Sequence, residues 1–114
     1  MSRRAKAKLP EPVRRSLMEL RERLGEIYAE RLQGVYLYGS YAGGDFHAGS
    51  DVDILIALTG GVNPSEEIDR LSETIADICL RHDVLIAVFP VPAEWLSVRQ
   101  SPLFQNVRRE GVAL

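Results

Sequence analysis

The chain has 114 residues, of which 46% are apolar and 26% are charged. This length and composition predict one soluble globular domain and leave little room for a second. The formal net charge of -2 hides an asymmetry, because four basic residues precede the first predicted element: Arg3, Arg4, Lys6 and Lys8. Without them, 10 basic residues remain against 16 acidic ones, so the body of the domain is acidic.

We therefore divide the chain into a basic, flexible tail at residues 1–12 and a single domain at residues 13–114. Such a tail can hold RNA or another polyanion loosely, but four charges without an interleaved aromatic favour a solvated leader. The single cysteine, Cys79, excludes an intramolecular disulfide and agrees with a cytoplasmic location. No signal peptide is visible, and the longest apolar run, Val84 to Val91, is too short to span a bilayer.

The first two predicted elements are a helix and a short strand. Apolar residues recur at alternating steps of four and three, which is typical of one buried helical stripe. The stripe consists of Val13, Leu17, Leu20, Leu24 and Ile27. Gly34 breaks the pattern, Val35 to Tyr38 predicts a strand, and Gly39 ends it.

The remaining elements predict an α/β fold. Ser40 to Ser50 is glycine-rich and predicts a loop with one helical turn, followed by a strand at Val52 to Leu58. Asn63-Pro64-Ser65-Glu66 is a helix start with a capping box. The buried stripe of that helix is predicted at Ile68, Leu71, Ile75, Ile78 and Cys79. A third strand is predicted at Val84 to Phe89, and short C-terminal helices at Pro92 and at Ser101-Pro102. This order predicts an α+β sandwich, in which helices flank one small mixed sheet.

The candidate chemistry lies between Gly39 and Asp53. Asp51 and Asp53 are two residues apart at the start of a strand, so their carboxylates point to one face and can share Mg²⁺ ions. Two metal ions can stabilise both the attacking and the leaving oxygen of a phosphoryl transfer. Gly39 lets the backbone approach a phosphate closely, and Ser40 adds a hydroxyl donor. The two motifs therefore predict a phosphate and metal cleft.

These residues carry a family resemblance. Segments 39–45 (GSYAGGD) and 50–56 (SDVDILI) resemble the signature of the DNA polymerase β-type nucleotidyltransferase superfamily, which is Gly-Ser, a short spacer and Asp-x-Asp in a strand. The size and element order resemble its minimal members, the MNT domains. Segment 101–111 resembles the tail common in that group, so the likeness covers residues 15–114.

The resemblance implies a role for each motif residue. Gly39 and Ser40 would hold the β- and γ-phosphates of ATP or another nucleoside triphosphate. Asp51 and Asp53 would bind catalytic Mg²⁺ of the two-metal type. Ser40, Asp51 and Asp53 are thus the predicted catalytic residues.

The chain departs from the family pattern at two positions. Gly43 stands where many relatives have an arginine. Active members also carry a third carboxylate on a later strand, and the best register places Ala87 at that position. Asp83 is the nearest acid, but it lies about 13 Å from Ala87 along an extended strand. His47, in the loop between the motifs, is a further candidate for substrate contact, although such loop residues are usually without a specific role.

Three functions are compatible with this sequence. The leading one is an enzyme that transfers AMP to a hydroxyl of a partner protein, acting as the antitoxin of a HEPN/MNT toxin–antitoxin pair. The second is a catalytically impaired domain of the same fold that binds and neutralises its partner. The third and weakest is an RNA-directed nucleotidyltransferase that uses the basic tail, because an acidic body argues against a wide RNA footprint.

Overall fold

The computed structural model describes residues 9–44, 46–47 and 49–114. Its helices and strands in chain order are α1 (Glu11–Tyr28), β1 (Leu32–Tyr38), α2 (Ser40–Gly43), β2 (Val52–Leu58), α3 (Pro64–His82), β3 (Ile86–Pro92), α4 (Trp95–Val98), α5 (Pro102–Glu110) and β4 (Val112–Ala113). The charged residues of the predicted tail, Arg3 to Lys8, lie outside the described residues. None of the helices in the described ranges is both long and apolar enough to cross a membrane.

Within these residues the strands form one four-stranded sheet in the order β3-β2-β1-β4. β2 pairs in parallel with β3, whereas β1 pairs antiparallel with β2 and with β4. The predicted α+β sandwich with a small mixed sheet is therefore confirmed. The sequence did not predict β4, which is only two residues long and falls below the length at which alternation is visible.

Each face of the sheet has its own apolar cluster, and β2 contributes to both. Ile54 and Ile56 pack with α1 and α3, whereas Leu55 packs with Phe104 of α5. This division follows from the period of two along a strand. Asp53 shares parity with Leu55, so it lies on the α5 side of the sheet.

The predicted stripe of α1 is buried except at Ile27, whereas that of α3 is fully buried only at Leu71 and Ile78. Ile27 and Ile68 are 40% and 41% exposed, and the neighbouring Tyr28 and Glu67 are buried instead. The Tyr28 hydroxyl donates to Glu67 Oε1 over 2.7 Å, and Arg70 donates to the same oxygen over 3.0 Å. Because hydrogen bonds satisfy the Glu67 carboxylate, this polar side chain can be buried, which a hydropathy pattern does not reveal.

The start of α3 is as predicted, but the start of β3 is not. Asn63 Oδ1 accepts from the Glu66 N–H over 3.3 Å, which caps the helix. At the other end Asp83 adopts a left-handed conformation with φ 56°, and the Val84 N–H donates to the Cys79 carbonyl over 3.1 Å. Val84 thus completes the end of α3, and the strand begins at Ile86.

β3 also continues beyond its predicted end, across two prolines. The Val52 N–H donates to the Leu85 carbonyl, and the Ala93 N–H donates to the Leu58 carbonyl. Odd-numbered residues of β3 therefore direct their backbone groups toward β2, and even-numbered ones direct them outward. Pro90 and Pro92 occupy outward positions, where the missing N–H removes no ladder bond. Pro92 consequently ends the strand, and the next helix begins at Trp95.

A cluster of charged side chains joins α1 to α3. Arg81 contacts both Glu19 and Asp77, and Arg23 donates to Asp77 over 3.0 Å. His82 Nε2 lies 2.9 Å from Glu19 Oε1. Hydrogen bonds from Arg81 and His82 lower the pKa of Glu19 to about 2, and hydrogen bonds from Arg81 and Arg23 do the same for Asp77.

This cluster predicts a pH dependence of stability. Because the pKa of Glu19 is depressed in the folded state, its contribution is complete above its ordinary value near 4.5 and is lost as the pH falls toward about 2. The free energy of unfolding, measured in urea, should fall less with acid in Glu19→Gln than in wild type. We expect a difference on the order of 1 kcal/mol across that pH range, since solvent screens a surface network. Glu22→Gln, an exposed acid of the same helix, is the control. Equal pH slopes for Glu19→Gln and wild type would contradict the assignment.

Candidate active site

The first part of the candidate site is the turn after β1. Gly39 has φ 77° and ψ -153°, a region that is essentially restricted to glycine. The Gly43 N–H donates to the Gly39 carbonyl over 3.1 Å, which closes the single helical turn of α2. Ser40 is the first residue of that turn and is partly exposed. The turn predicted from the Gly-Ser motif is therefore present.

The second part is the acidic pair at the start of β2. Asp51 directly precedes the strand and is exposed, whereas Asp53 is the second residue of β2 and is partly buried. Burial and the negative charge of Asp51 together raise the pKa of Asp53 above its ordinary value. None of the ion pairs among the described residues involves either carboxylate, so their mutual repulsion is not offset by a cationic side chain there.

The pairing of β1 with β2 brings the two parts into contact. Tyr38 is the register partner of Asp53, so the residue after Tyr38 lies beside the same carboxylate. A Cβ atom added to Gly39 would overlap Asp53 Oδ2. The backbone of the turn therefore lies directly against the Asp53 carboxylate.

The third acid is missing from the sheet. Ala87 is the register partner of Asp53 on β3 and is exposed, so the position next to Asp53 carries only a methyl group. Asp83 lies in the turn that ends α3, three residues before β3 begins. Within the described part of the chain, no group of three or more His, Cys, Asp or Glu residues is arranged to hold a metal ion.

His47 and Asp83 line a different space. Both contribute to a cavity of about 770 Å³ between the loop after α2, the start of α1 and the end of α3. Ser50 lines this cavity too, but Ser40, Asp51 and Asp53 do not. The cavity thus adjoins the acidic pair without containing it, and we place the candidate site at the carboxylates.

Tyr38 is a site residue that the motif search did not single out. It lies in one row across the sheet with Asp53 and Ala87. Burial, and to a lesser extent the charge of Asp53, raises the pKa of Tyr38 above its ordinary value. The antiparallel register of two short strands was the signal that could have identified it.

Comparison with known proteins identifies relatives of this chain. A family model described as a nucleotidyltransferase domain matches residues 17–96, which include the turn, the acidic pair and Ala87. A Methanocaldococcus jannaschii protein, provisionally named a protein adenylyltransferase, is 32% identical over 71 residues. That alignment covers 62% of this chain and 71% of the relative.

Solved structures of toxin–antitoxin proteins share the fold. A chain of a toxin–antitoxin structure with AMP-PNP superposes with a TM-score of 0.58 at 23% identity, covering 87% of this chain and 69% of that chain. A chain of an MntA–HpeT toxin–antitoxin variant with a tyrosine-to-alanine change gives a TM-score of 0.57 at 25% identity, covering 85% and 70%. These likenesses match the α+β fold described above.

The contact between the turn and the carboxylate predicts that Gly39 tolerates no side chain. Gly39→Ala should lower the free energy of unfolding by about 3 kcal/mol, because the backbone conformation is strained for alanine and the methyl group displaces Asp53. Gly44→Ala is the matched control, since Gly44 also has a positive φ of 85° but has no atom within 4 Å of an added Cβ. It should cost only about 1 kcal/mol, for backbone strain alone.

Urea denaturation of the two variants measures this difference. Equal losses of stability for Gly39→Ala and Gly44→Ala would show that the turn does not lie against Asp53.

Proposed function

Because the chain belongs to the nucleotidyltransferase domain family, we propose that it transfers AMP from ATP to a hydroxyl group of a partner protein. One observation supports the proposal: the Gly39 backbone lies against the Asp53 carboxylate, so the proposed phosphate-binding turn and the acidic pair are adjacent. The name of the Methanocaldococcus jannaschii relative supports a protein as acceptor. A toxin–antitoxin neighbour of the same fold, solved with AMP-PNP, supports an adenine nucleotide.

The turn supplies the groups that a triphosphate needs. Gly39 carries no side chain, so a phosphate oxygen can approach the backbone N–H groups at the start of α2. The partly exposed Ser40 adds a hydroxyl donor beside them. We assign the β- and γ-phosphates to this turn.

The acidic pair fits Mg²⁺. Carboxylate oxygens are its preferred protein ligands, and Asp51 and Asp53 lie on one face at the start of β2. A divalent cation would offset the repulsion that helps to raise the pKa of Asp53. With only these two carboxylates at the site, the remaining ligands would be water and phosphate oxygens. When bound, Mg²⁺ neutralises charge on the phosphoryl group during transfer.

The proposed reaction is a nucleotidyl transfer to oxygen. The acceptor hydroxyl oxygen forms a bond to the α-phosphorus, and the bond from that phosphorus to the bridging α–β oxygen breaks. Pyrophosphate leaves with the electron pair of the broken bond. Since Ala87 offers no base beside Asp53, we assign the hydroxyl proton to solvent rather than to a side chain of β3.

We further propose that the acceptor is a tyrosine of a HEPN-type toxin, and that this chain is its cytoplasmic antitoxin. The resemblance to minimal MNT domains and the toxin–antitoxin neighbours support this pairing. The alternative is a domain that neutralises its partner by binding alone, and Ala87 and Gly43 favour it because each lacks a charged group that relatives carry. An RNA-directed reaction stays a prediction, since the basic residues that motivate it lie outside the described residues.

Isothermal titration calorimetry with Mg²⁺–ATP tests the nucleotide site. Wild type should bind in a Mg²⁺-dependent manner, and Asp51→Asn should weaken binding by at least about tenfold, because a metal-binding carboxylate is lost. Asp69→Asn, which removes an exposed carboxylate on α3, is the matched control and should bind as wild type does. Absence of binding by wild type would contradict the proposed function.

Intact-mass measurement of a co-expressed HEPN partner then separates the enzyme from the binding module. The enzyme predicts one or more added AMP groups on the partner with wild type and none with Asp51→Asn. Inhibition of the partner that persists undiminished in Asp51→Asn and Asp53→Asn, without any mass gain, would favour neutralisation by binding.

The absence of a carboxylate at Ala87 on β3 predicts that adding one there increases the rate of AMP transfer. Ala87→Asp places a carboxylate beside Asp53, where it can accept the hydroxyl proton, and general-base catalysis typically contributes about 100-fold or more. We therefore expect AMP transfer to the partner to accelerate at least about tenfold. Ala87→Asn matches the size without the base and should not accelerate the reaction. Equal rates for the two variants would exclude a role for this position in proton transfer.

A further inference from the structure

The described part of the loop between α2 and the acidic pair carries few large side chains that can pack. Its described residues are Gly44, Phe46, His47, Gly49 and Ser50. Gly44 and Gly49 have positive φ values of 85° and 90° and offer no side chain for packing. Glycine also loses more backbone freedom on ordering than any other residue. A loop of this composition needs an anchor if Asp51 is to stay at a fixed distance from Ser40.

An aromatic stack provides that anchor. The rings of Tyr41 and Phe46 are nearly parallel, with centroids 4.5 Å apart and an interplanar angle of 13°. Tyr41 is only 6% exposed and belongs to the main apolar cluster, and Phe46 packs against the same cluster. Phe46 is the one large apolar side chain in the described part of the loop, and the stack attaches it to the core.

A pair of hydrogen bonds extends the anchor to the acidic pair. The His47 N–H donates to Ser50 Oγ over 2.9 Å, and the Ser50 N–H donates to the His47 carbonyl over 2.9 Å. This closed turn begins directly after Phe46 and ends directly before Asp51. A shift of the Phe46 ring would therefore be transmitted to Asp51 through the hydrogen bonds between His47 and Ser50.

The Tyr41 ring is linked just as closely to the Gly39-Ser40 turn. Tyr41 follows Ser40 directly and lies in the same helical turn. Its burial fixes the orientation of α2 against β1 and β2. The stack thus connects the residue after the Gly-Ser motif to the turn before the Asp-x-Asp motif, across the base of the loop.

We propose that Tyr41 and Phe46 form a positioning pair, which sets the separation between the Gly39-Ser40 turn and Asp51 and so determines affinity for Mg²⁺–ATP. The inference rests on the proposed function, because it assumes that the cleft binds nucleotide. Neither ring is a catalytic residue, since each acts through the backbone of its neighbours. If the rings merely filled the core, their loss would lower stability and leave nucleotide affinity unchanged.

The test uses the full chain and four variants. Phe46→Ala removes the stack, Phe46→Tyr keeps the ring, and Phe46→Leu keeps apolar bulk without a ring. Trp95→Ala is the matched control for stability, because Trp95 is also a partly buried aromatic and packs edge-on against Phe104 with centroids 6.2 Å apart. Trp95 follows β3, at the end of the sheet opposite Asp53.

Two readouts are taken on each variant. Calorimetry gives the dissociation constant for Mg²⁺–ATP, and hydrogen exchange gives the protection of the Ser50 amide without nucleotide. We expect Phe46→Ala to weaken Mg²⁺–ATP binding and Ser50 protection by about three- to tenfold each, which corresponds to the usual strength of an aromatic pair. Phe46→Tyr should stay within about twofold of wild type, and Phe46→Leu should fall between the two.

The control separates positioning from stability. Trp95→Ala should lower the thermal midpoint at least as far as Phe46→Ala while binding Mg²⁺–ATP within about twofold of wild type. Equal nucleotide affinity for wild type and Phe46→Ala would overturn this inference and leave the proposed function standing. Absence of Mg²⁺–ATP binding by wild type would overturn both.

Discussion

The antiparallel pairing of β1 with β2 is the constraint on which the site depends. It makes Tyr38 the partner of Asp53, and it therefore places the next residue, Gly39, against the Asp53 carboxylate. This register brings two sequence motifs that are separated by a loop into contact. A one-residue shift of this register would turn Asp53 toward α1 and α3 and separate it from Gly39, because successive side chains point to opposite faces. Burial of Ile54 and Ile56 on that other face holds the register in place.

The sequence was sufficient for the parts of the fold that short-range patterns encode. Asn63 caps its helix as predicted, and the glycine at position 39 marks the turn that the cleft needs. The register of Ala87 beside Asp53 could also be predicted, because both lie in apolar strands whose parity is clear. The sequence could not show that Glu67 is buried rather than Ile68, since this depends on a tyrosine 39 residues earlier in the chain.

The boundaries of β3 also depend on backbone hydrogen bonds that the sequence pattern does not show. Val84 and Leu85 have strand propensity, but the left-handed turn at Asp83 uses the Val84 N–H to close α3. The hydrogen bond that closes the helix therefore overrode strand propensity at the beginning of the strand. At the end of β3, Pro90 and Pro92 predict a break in the strand. They are tolerated because their backbone positions face away from β2. The identity of the acceptor and the partner depends on surfaces of another molecule, which no residue of this chain encodes directly.

The same two prolines restrict how another molecule can approach the domain. Of the four outward positions on β3, Pro90 and Pro92 have no N–H, and the Ile86 N–H is taken by Cys79 Sγ at 3.4 Å. Only the Val88 N–H is left along this edge of the described sheet to pair with an incoming strand. This edge therefore offers few N–H donors to a strand from another molecule. A protein that approached the Ala87 side of the sheet would be bound mainly through side chains.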